Sequence, residues 1–184
     1  VMKYQVRKLT WFYESIDLLR LSDNLVMSDE GQNGLKKLLH LLSKFHKVAQ
    51  ELRDRRQDKP TLILDNEYDV QDLLNALLHL HFDDVRPEEF SPSSAGGNSR
   101  IDFVLKPEKI IIEVKMTREG LKSKKLGEEL LIDIGRYKEY PDCDNLVIFI
   151  YDKGDNVRNK KGLISDLEKQ STAKLKVSVV INPY

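Results

Sequence analysis

Arg100-Ile-Asp-Phe-Val-Leu105, the turn Lys106-Pro107-Glu108-Lys109 and Ile110-Ile-Ile-Glu-Val-Lys115 read together as a β-hairpin. With the loop centred between Pro107 and Glu108, antiparallel pairing sets Leu105 against Ile110, Phe103 against Ile112 and Asp102 against Glu113. Directly opposed residues share a face, and Lys115, two positions beyond Glu113, joins them there. The other face reads Ile101, Phe103, Ile110, Ile112 and Val114, which is core material. Pro107 cannot adopt the positive φ of a two-residue primed turn, so a longer loop built on a type I turn is expected. A one-residue slip would send one strand's polar set to the opposite side.

Two carboxylates brought together repel, and each then favours its protonated form. A hard divalent cation relieves the conflict. Mg²⁺ takes oxygen ligands and keeps waters for a substrate phosphate, and Mn²⁺ is expected to substitute for it. An ammonium group beside the pair can orient or help deprotonate an attacking water and stabilise charge on phosphoryl oxygens. A salt-bridged, solvent-facing hairpin has the same spacing, so the flanking segments must decide.

The chain has 184 residues, enough for one full domain and a smaller appendage. Its formal net charge is +0, so a nucleic-acid contact has to come from a local patch. The single cysteine, Cys143, excludes an intramolecular disulfide and suits a reducing, cytoplasmic setting. No apolar run is long enough to span a bilayer, and no membrane partner is expected. Residue 1 is Val, and the sequence is expected to lack its true start and to be one part of a larger protein.

Two zones divide the chain. Residues 1–58 read as an N-terminal helical extension, and residues 59–184 as the main domain. Lys3 to Arg20 spaces Val6, Leu9, Phe12, Tyr13, Ile16 and Leu19 helically. After Ser28-Asp29-Glu30-Gly31, a second helix spaces Leu35, Leu38, Leu39, Leu42, Phe45, Ala49 and Leu52. The two are expected to form an antiparallel pair or an oligomerising arm, and Arg53 to Pro60 a polar connector. From Thr61 the order reads helix, strand, strand, helix, strand, helix, strand, an α/β arrangement with helices packed on one sheet. Within it, Asn145-Leu-Val-Ile-Phe-Ile-Tyr151 is almost uniformly apolar and reads as a central strand buried on both faces.

Around the hairpin, a helix from Asn66 to about His81 buries Val70, Leu73, Leu74, Leu77 and Leu78, with Asp65 or Asn66 capping its start. Glu67 sits at the leading edge of that stripe, and Gln71 lies one turn later on nearly the same line. A first-turn acid is either favoured by the helix dipole or aimed into a site. The loop Ser91-Pro-Ser-Ser-Ala-Gly-Gly-Asn-Ser99-Arg100 offers close backbone approach and donors beside Asp102. After the hairpin, Lys115, Arg118, Lys122, Lys124 and Lys125 oppose the single acid Glu119, a composition suited to a phosphate backbone. Ser99, Arg100, Arg118, Lys122, Lys124, Lys125 and Gln71 are the expected nucleic-acid contacts. No Cys/His zinc spacing, serine or cysteine triad, Walker loop or dinucleotide fingerprint is present.

The order of a helix bearing Glu67, a strand bearing Asp102, a strand bearing Glu113-Val-Lys115, a basic helix and an apolar strand resembles the PD-(D/E)XK nuclease superfamily. More narrowly it resembles its DpnII/MboI-type restriction-endonuclease-like domains, found in bacterial defence proteins. The segments carrying the resemblance are Asn66 to Leu74, Phe82 to Glu89, Ser94 to Asp102, Ile112 to Arg118, Asp133-Ile-Gly-Arg-Tyr137 and Tyr151-Asp152. It implies a restriction-endonuclease-like mixed central sheet flanked by helices. It also implies that Asp102 and Glu113 ligate Mg²⁺ with the main-chain carbonyl of Val114, that Lys115 positions the nucleophilic water, and that Glu67 completes the metal site. Glu129 departs from the Gln that related sequences often carry in the following helix, and an acid there works against phosphate binding.

The expected function is metal-dependent hydrolysis of DNA, with double-stranded DNA as partner, in the effector domain of a bacterial restriction or anti-phage defence system. The N-terminal helices would assemble a homo-oligomer or meet a sensor domain or partner protein. The competing expectation is a nuclease-derived binding or assembly module with little catalysis, or an RNase of the same fold.

Overall fold

A mixed five-stranded sheet forms the centre of the molecule in the computed structural model, which describes residues 33–54, 56, 61–90, 100–120, 123–141 and 143–184. The expected helix at Lys3 to Arg20 and the loop from Ser91 to Ser99 lie outside the described residues. In chain order the elements are α1 (33–53), α2 (Glu67–Leu78), β1 (Val85–Phe90), β2 (Arg100–Leu105), β3 (Ile110–Met116), α3 (Ser123–Tyr137), β4 (Asn145–Tyr151), α4 (Lys160–Glu168) and β5 (Lys176–Asn182). The strands lie in the order β1-β2-β3-β4-β5. β2 runs antiparallel to both β1 and β3, whereas β3, β4 and β5 run parallel to one another.

Each element follows from local chemistry. Asn66 caps α2 by accepting the Asp69 N–H, while the Asp69 carboxylate returns to the Asn66 N–H in a reciprocal capping box. Residues 106–109 form the hairpin loop, with Lys109 at φ 55° and its N–H donated to Lys106 O at 3.2 Å. The loop thereby supplies the left-handed residue that Pro107 cannot. Glu108 folds back over α1, where a Cβ on Gly34 would lie 2.5 Å from Glu108 Cγ, so the contact needs a glycine.

β4 is the centre, as its unbroken apolar run predicts. Val147, Phe149 and Tyr151 enter a cluster with Leu38, Leu42 and Phe45 of α1 and Val70 and Leu74 of α2. Leu146, Ile148 and Ile150 enter the opposite cluster with Leu126, Leu130, Ile134 and Tyr137 of α3 and Leu167 of α4. The result is helix–sheet–helix layering. Ile101, expected beside Phe103, instead packs in the second cluster with Val104 and Ile111.

Two features differ from the sequence expectation. β1 is an added edge strand, hidden because Val-Arg-Pro-Glu-Glu-Phe lacks a period-two apolar face and contains Pro87. Pro87 is tolerated at the sheet edge, opposite Phe103. Secondly, α1, read in sequence as part of the 1–58 extension, shares its core with the sheet. Phe45 meets Phe149 at 5.0 Å and Tyr151 at 5.3 Å, both edge-on. The Asn182 amide clamps the end of β5 to α1, donating to Ser43 O at 3.1 Å and accepting the His46 N–H at 2.8 Å.

Phe45→Ala is therefore expected to cost about 3–5 kcal/mol in chemical denaturation, and a chain beginning at residue 59 is expected to lose its cooperative transition. A chain from residue 59 that unfolds like the longer protein would refute this role of α1.

Candidate active site

From the turn as far as Phe103 the register of the central hairpin is the one its turn predicts, with Leu105 paired with Ile110, Val104 with Ile111 and Phe103 with Ile112, but the expected pairing of Asp102 with Glu113 is not formed. At the next position the Asp102 side chain takes over the ladder, and its Oδ2 accepts the Val114 N–H at 2.7 Å. The exchange satisfies a buried donor and fixes the carboxylate. Gln71 of α2 donates through Nε2 to Asp102 Oδ1 at 2.9 Å. Gln71, expected as a nucleic-acid contact, thus grips a carboxylate in this arrangement.

Glu113 is buried on the same strand face as Ile111. Its Oε1 accepts from Lys115 Nζ at 2.5 Å and its Oε2 from the Tyr137 hydroxyl at 2.5 Å. Glu67 reaches the group from α2: its Oε2 accepts the Met116 N–H at 3.2 Å and its Oε1 lies 3.7 Å from Lys115 Nζ. Asp102, Glu113, Lys115 and Glu67 therefore converge at the C-terminal end of β3, beside a cleft of about 350 Å³ lined by Glu67, Tyr68, Lys115, Arg118, Lys125 and Glu129. Val114 contributes its N–H to Asp102.

Electrostatics follow from this burial. Desolvation raises Asp102 to about 6, partly opposed by the Val114 N–H and by Lys115. Desolvation, then the Asp102 charge, raises Glu113 to about 7 against the pull of Lys115 and Tyr137. The two titrate as a unit. For Lys115 burial works against the charge, yet Glu113, Glu67 and Asp102 outweigh it and hold the group above its ordinary value. Lys115 therefore stays an ammonium donor at neutral pH. Burial, reinforced by Glu113, raises Tyr137 and keeps its phenol a proton donor.

Among the described residues, no group of three or more His, Cys, Asp or Glu side chains is arranged to hold a metal ion. The donors gathered here are two carboxylates, a set suited to Mg²⁺, which usually binds through one or two carboxylates, waters and substrate phosphate. Of the expected nucleic-acid contacts, Arg118 is exposed at the cleft. Exposed Lys124 and Lys125 pair with Glu128 and Glu129 at 3.7 and 3.8 Å. Arg100 pairs with Glu88 at 2.9 Å on the edge of the sheet. Ser99 and Lys122 lie outside the described residues.

Sequence reasoning left Tyr137 without a role. Its signal was a hydroxyl-bearing side chain on the otherwise aliphatic stripe Leu126, Leu130, Ile134, since a buried phenol needs a partner. Asp152 supports the site from behind. Fully buried, it accepts from Thr117 Oγ1 at 2.5 Å, the Asn156 N–H at 2.8 Å and the Val157 N–H at 3.2 Å. It thereby ties the chain just beyond Lys115 and Met116 to the loop after β4.

Because folding raises the Asp102 and Glu113 values, the fold binds their protons more tightly than the unfolded chain does. Their contribution to stability is full below about pH 4 and is lost as pH rises through about 6 to 7. In metal-free buffer, Asp102→Asn should gain thermal stability relative to the parent between pH 4 and pH 7, by at least about 3 °C. A difference that stays constant with pH would refute the burial account. Tyr137→Phe should lower unfolding free energy by about 1–3 kcal/mol by leaving Glu113 Oε2 without its donor, measured by urea titration.

A family model described as REase_DpnII-MboI matches residues 36–184. No curated protein and no solved structure gives a significant match.

Proposed function

Since the chain belongs to the DpnII-MboI family of restriction endonucleases, we propose that it hydrolyses DNA phosphodiester bonds with a divalent cation held by Asp102 and Glu113. The observation that carries this is the convergence at one end of β3 of two buried carboxylates with Lys115 and Glu67, the latter two lining a cleft. Mg²⁺, or Mn²⁺ in its place, supplies Lewis acidity toward the phosphoryl oxygens and favours deprotonation of a water.

The chain's own groups do the rest. Asp102 and Glu113, with the main-chain carbonyl of Val114, provide hard oxygen donors. Lys115, kept charged, donates to the attacking water and to a non-bridging phosphoryl oxygen, where negative charge grows. Gln71 and Tyr137 hold the two carboxylates in fixed rotamers, and Glu67 orients the Lys115 ammonium. Arg118, Lys124 and Lys125, with Ser99, Arg100 and Lys122, contact the DNA backbone. Glu129 at the rim limits affinity for phosphate, with Lys125 partly cancelling its charge. In the cell, this domain acts as the effector of a restriction or anti-phage system. Double-stranded DNA is its substrate, and residues 1–32 serve assembly or a sensing partner. No described helix is long and apolar enough to cross a membrane.

One observation favours the second reading, a nuclease-derived module with little catalysis: all four oxygens of Asp102 and Glu113 already accept hydrogen bonds. Mn²⁺ titration followed by electron paramagnetic resonance separates the two. A functional site binds Mn²⁺ and loses it in Glu113→Gln. In a cleavage panel of plasmid, linear duplex, single strands and RNA, the protein with Mg²⁺ should cut duplex DNA. Lys115→Ala and Asp102→Ala should lower the rate by at least about 10²-fold without loss of the folded circular-dichroism spectrum. Equal cutting by the alanine variants would remove the site assignment, and cutting of RNA alone would move the substrate to the RNase reading.

A further inference from the structure

A second cleft of about 490 Å³ opens between α1, the segment before α2 and the end of β4. Its polar lining is His46, Gln50 and Arg53 from one side and Tyr151 and Lys153 from the other, with Leu62 and Ile63 as an apolar wall. No Asp or Glu lines it among the described residues. The first cleft, in contrast, contains Asp65, Glu67 and Glu129.

Its two cations are Arg53 and Lys153. Arg53 pairs with its sequence neighbour Asp54 at 3.0 Å, and both side chains are more than half exposed. Lys153 Nζ donates to Leu64 O and lies 3.7 Å from Asp65. The exposed Arg53–Asp54 pair gains little in water and exchanges readily for a phosphate oxygen, and Lys153 can donate its remaining N–H groups to one. Tyr151 is fixed by the His46 ring, with His46 Nδ1 and the hydroxyl 3.0 Å apart.

The two clefts are neighbours. Leu64 lines the second and Asp65 the first, so the chain between them is a shared wall. β3 and β4 are parallel and pair Met116 with Tyr151, which places both openings at one end of the sheet. A strand leaving the Lys115 site over residues 64–66 would run into the Arg53–Lys153 cleft.

We propose that this second cleft receives backbone phosphates of the same DNA whose scissile bond lies at Lys115, with Arg53 and Lys153 as the phosphate contacts. The inference rests on the nuclease reading and extends its DNA track across the segment 64–66. It adds contacts from α1 and from the loop after β4, which no motif around the hairpin indicated. Exposure of Ile63 beside the cations gives the sugar and base an apolar surface, while the cations meet the phosphates.

The test is the salt dependence of binding to a fluorescent duplex oligonucleotide in chelator, where cleavage is blocked. Each phosphate contact contributes about 0.9 to the slope of log affinity against log salt for a duplex and about 0.7 for a single strand. Neutralising both positions, Arg53→Gln with Lys153→Gln, should lower the slope by about 1.8 for this duplex. Neutralising Lys174 and Lys176, at the opposite end of the sheet, should leave it unchanged. Gln50→Glu, which adds an acid to the cleft and removes no interaction of Lys153, should weaken binding as well. Thermal unfolding confirms that each variant is folded.

Binding by the parent chain with an unaltered slope in the double variant, and no effect of Gln50→Glu, would overturn the inference and leave the nuclease reading standing. So would a double variant that loses binding of inorganic pyrophosphate while keeping the full DNA slope, because that assigns the cleft to a small anion. A parent chain that does not bind DNA overturns both.

Discussion

Glu113 is a carboxylate on a central strand, and its burial sets the terms for its surroundings. It is 4 % exposed, in a strand otherwise walled by isoleucine and valine. Such a group is stable only when its oxygens are met by donors. Lys115 meets one and Tyr137 the other. The partners must then be held in turn: Lys115 by Glu67 from one helical layer, Tyr137 by its place in the packed stripe of the other. A single polar residue thus links both layers through the sheet.

The hairpin and the central strand were legible in the sequence because their signals are local and periodic. The pairing of Phe103 with Ile112 follows from the turn centre alone, and the two-faced burial of β4 from its unbroken apolar run. Glu67 and Gln71 could be placed on one line of a helix, but the direction of that line could not. Whether Gln71 points to nucleic acid or grips Asp102 depends on how α2 lies across β2 and β3, a relation between segments 31 residues apart. β1 was invisible for the opposite reason: an edge strand with one proline and three charged residues carries no periodic face. The core role of α1 was hidden because its apolar stripe is the same whether it packs on a sister helix or on a sheet.

Lys115 illustrates a second limit. Spacing predicts an ammonium beside carboxylates but cannot separate a proton acceptor from a fixed positive charge. The structure can, because three carboxylates outweigh the cost of burying the amine. An amine held charged is a poor base and a good donor.

Strand direction explains why these groups share one end of the sheet. β2 runs antiparallel to β3, so a residue near the start of β2, Asp102, comes beside residues near the end of β3, Glu113 to Lys115. β4 runs parallel to β3, so its own end brings Tyr151 and Asp152 alongside Met116 and Thr117. The N-terminus of α2 points to the same place, delivering Glu67 to the Met116 N–H. Had β2 been parallel, Asp102 would lie at the far end of β3 from Glu113, and no side chain could span the strand to rejoin them. The reversal between β2 and β3, set by the four-residue turn at 106–109, is therefore the topological condition for the site.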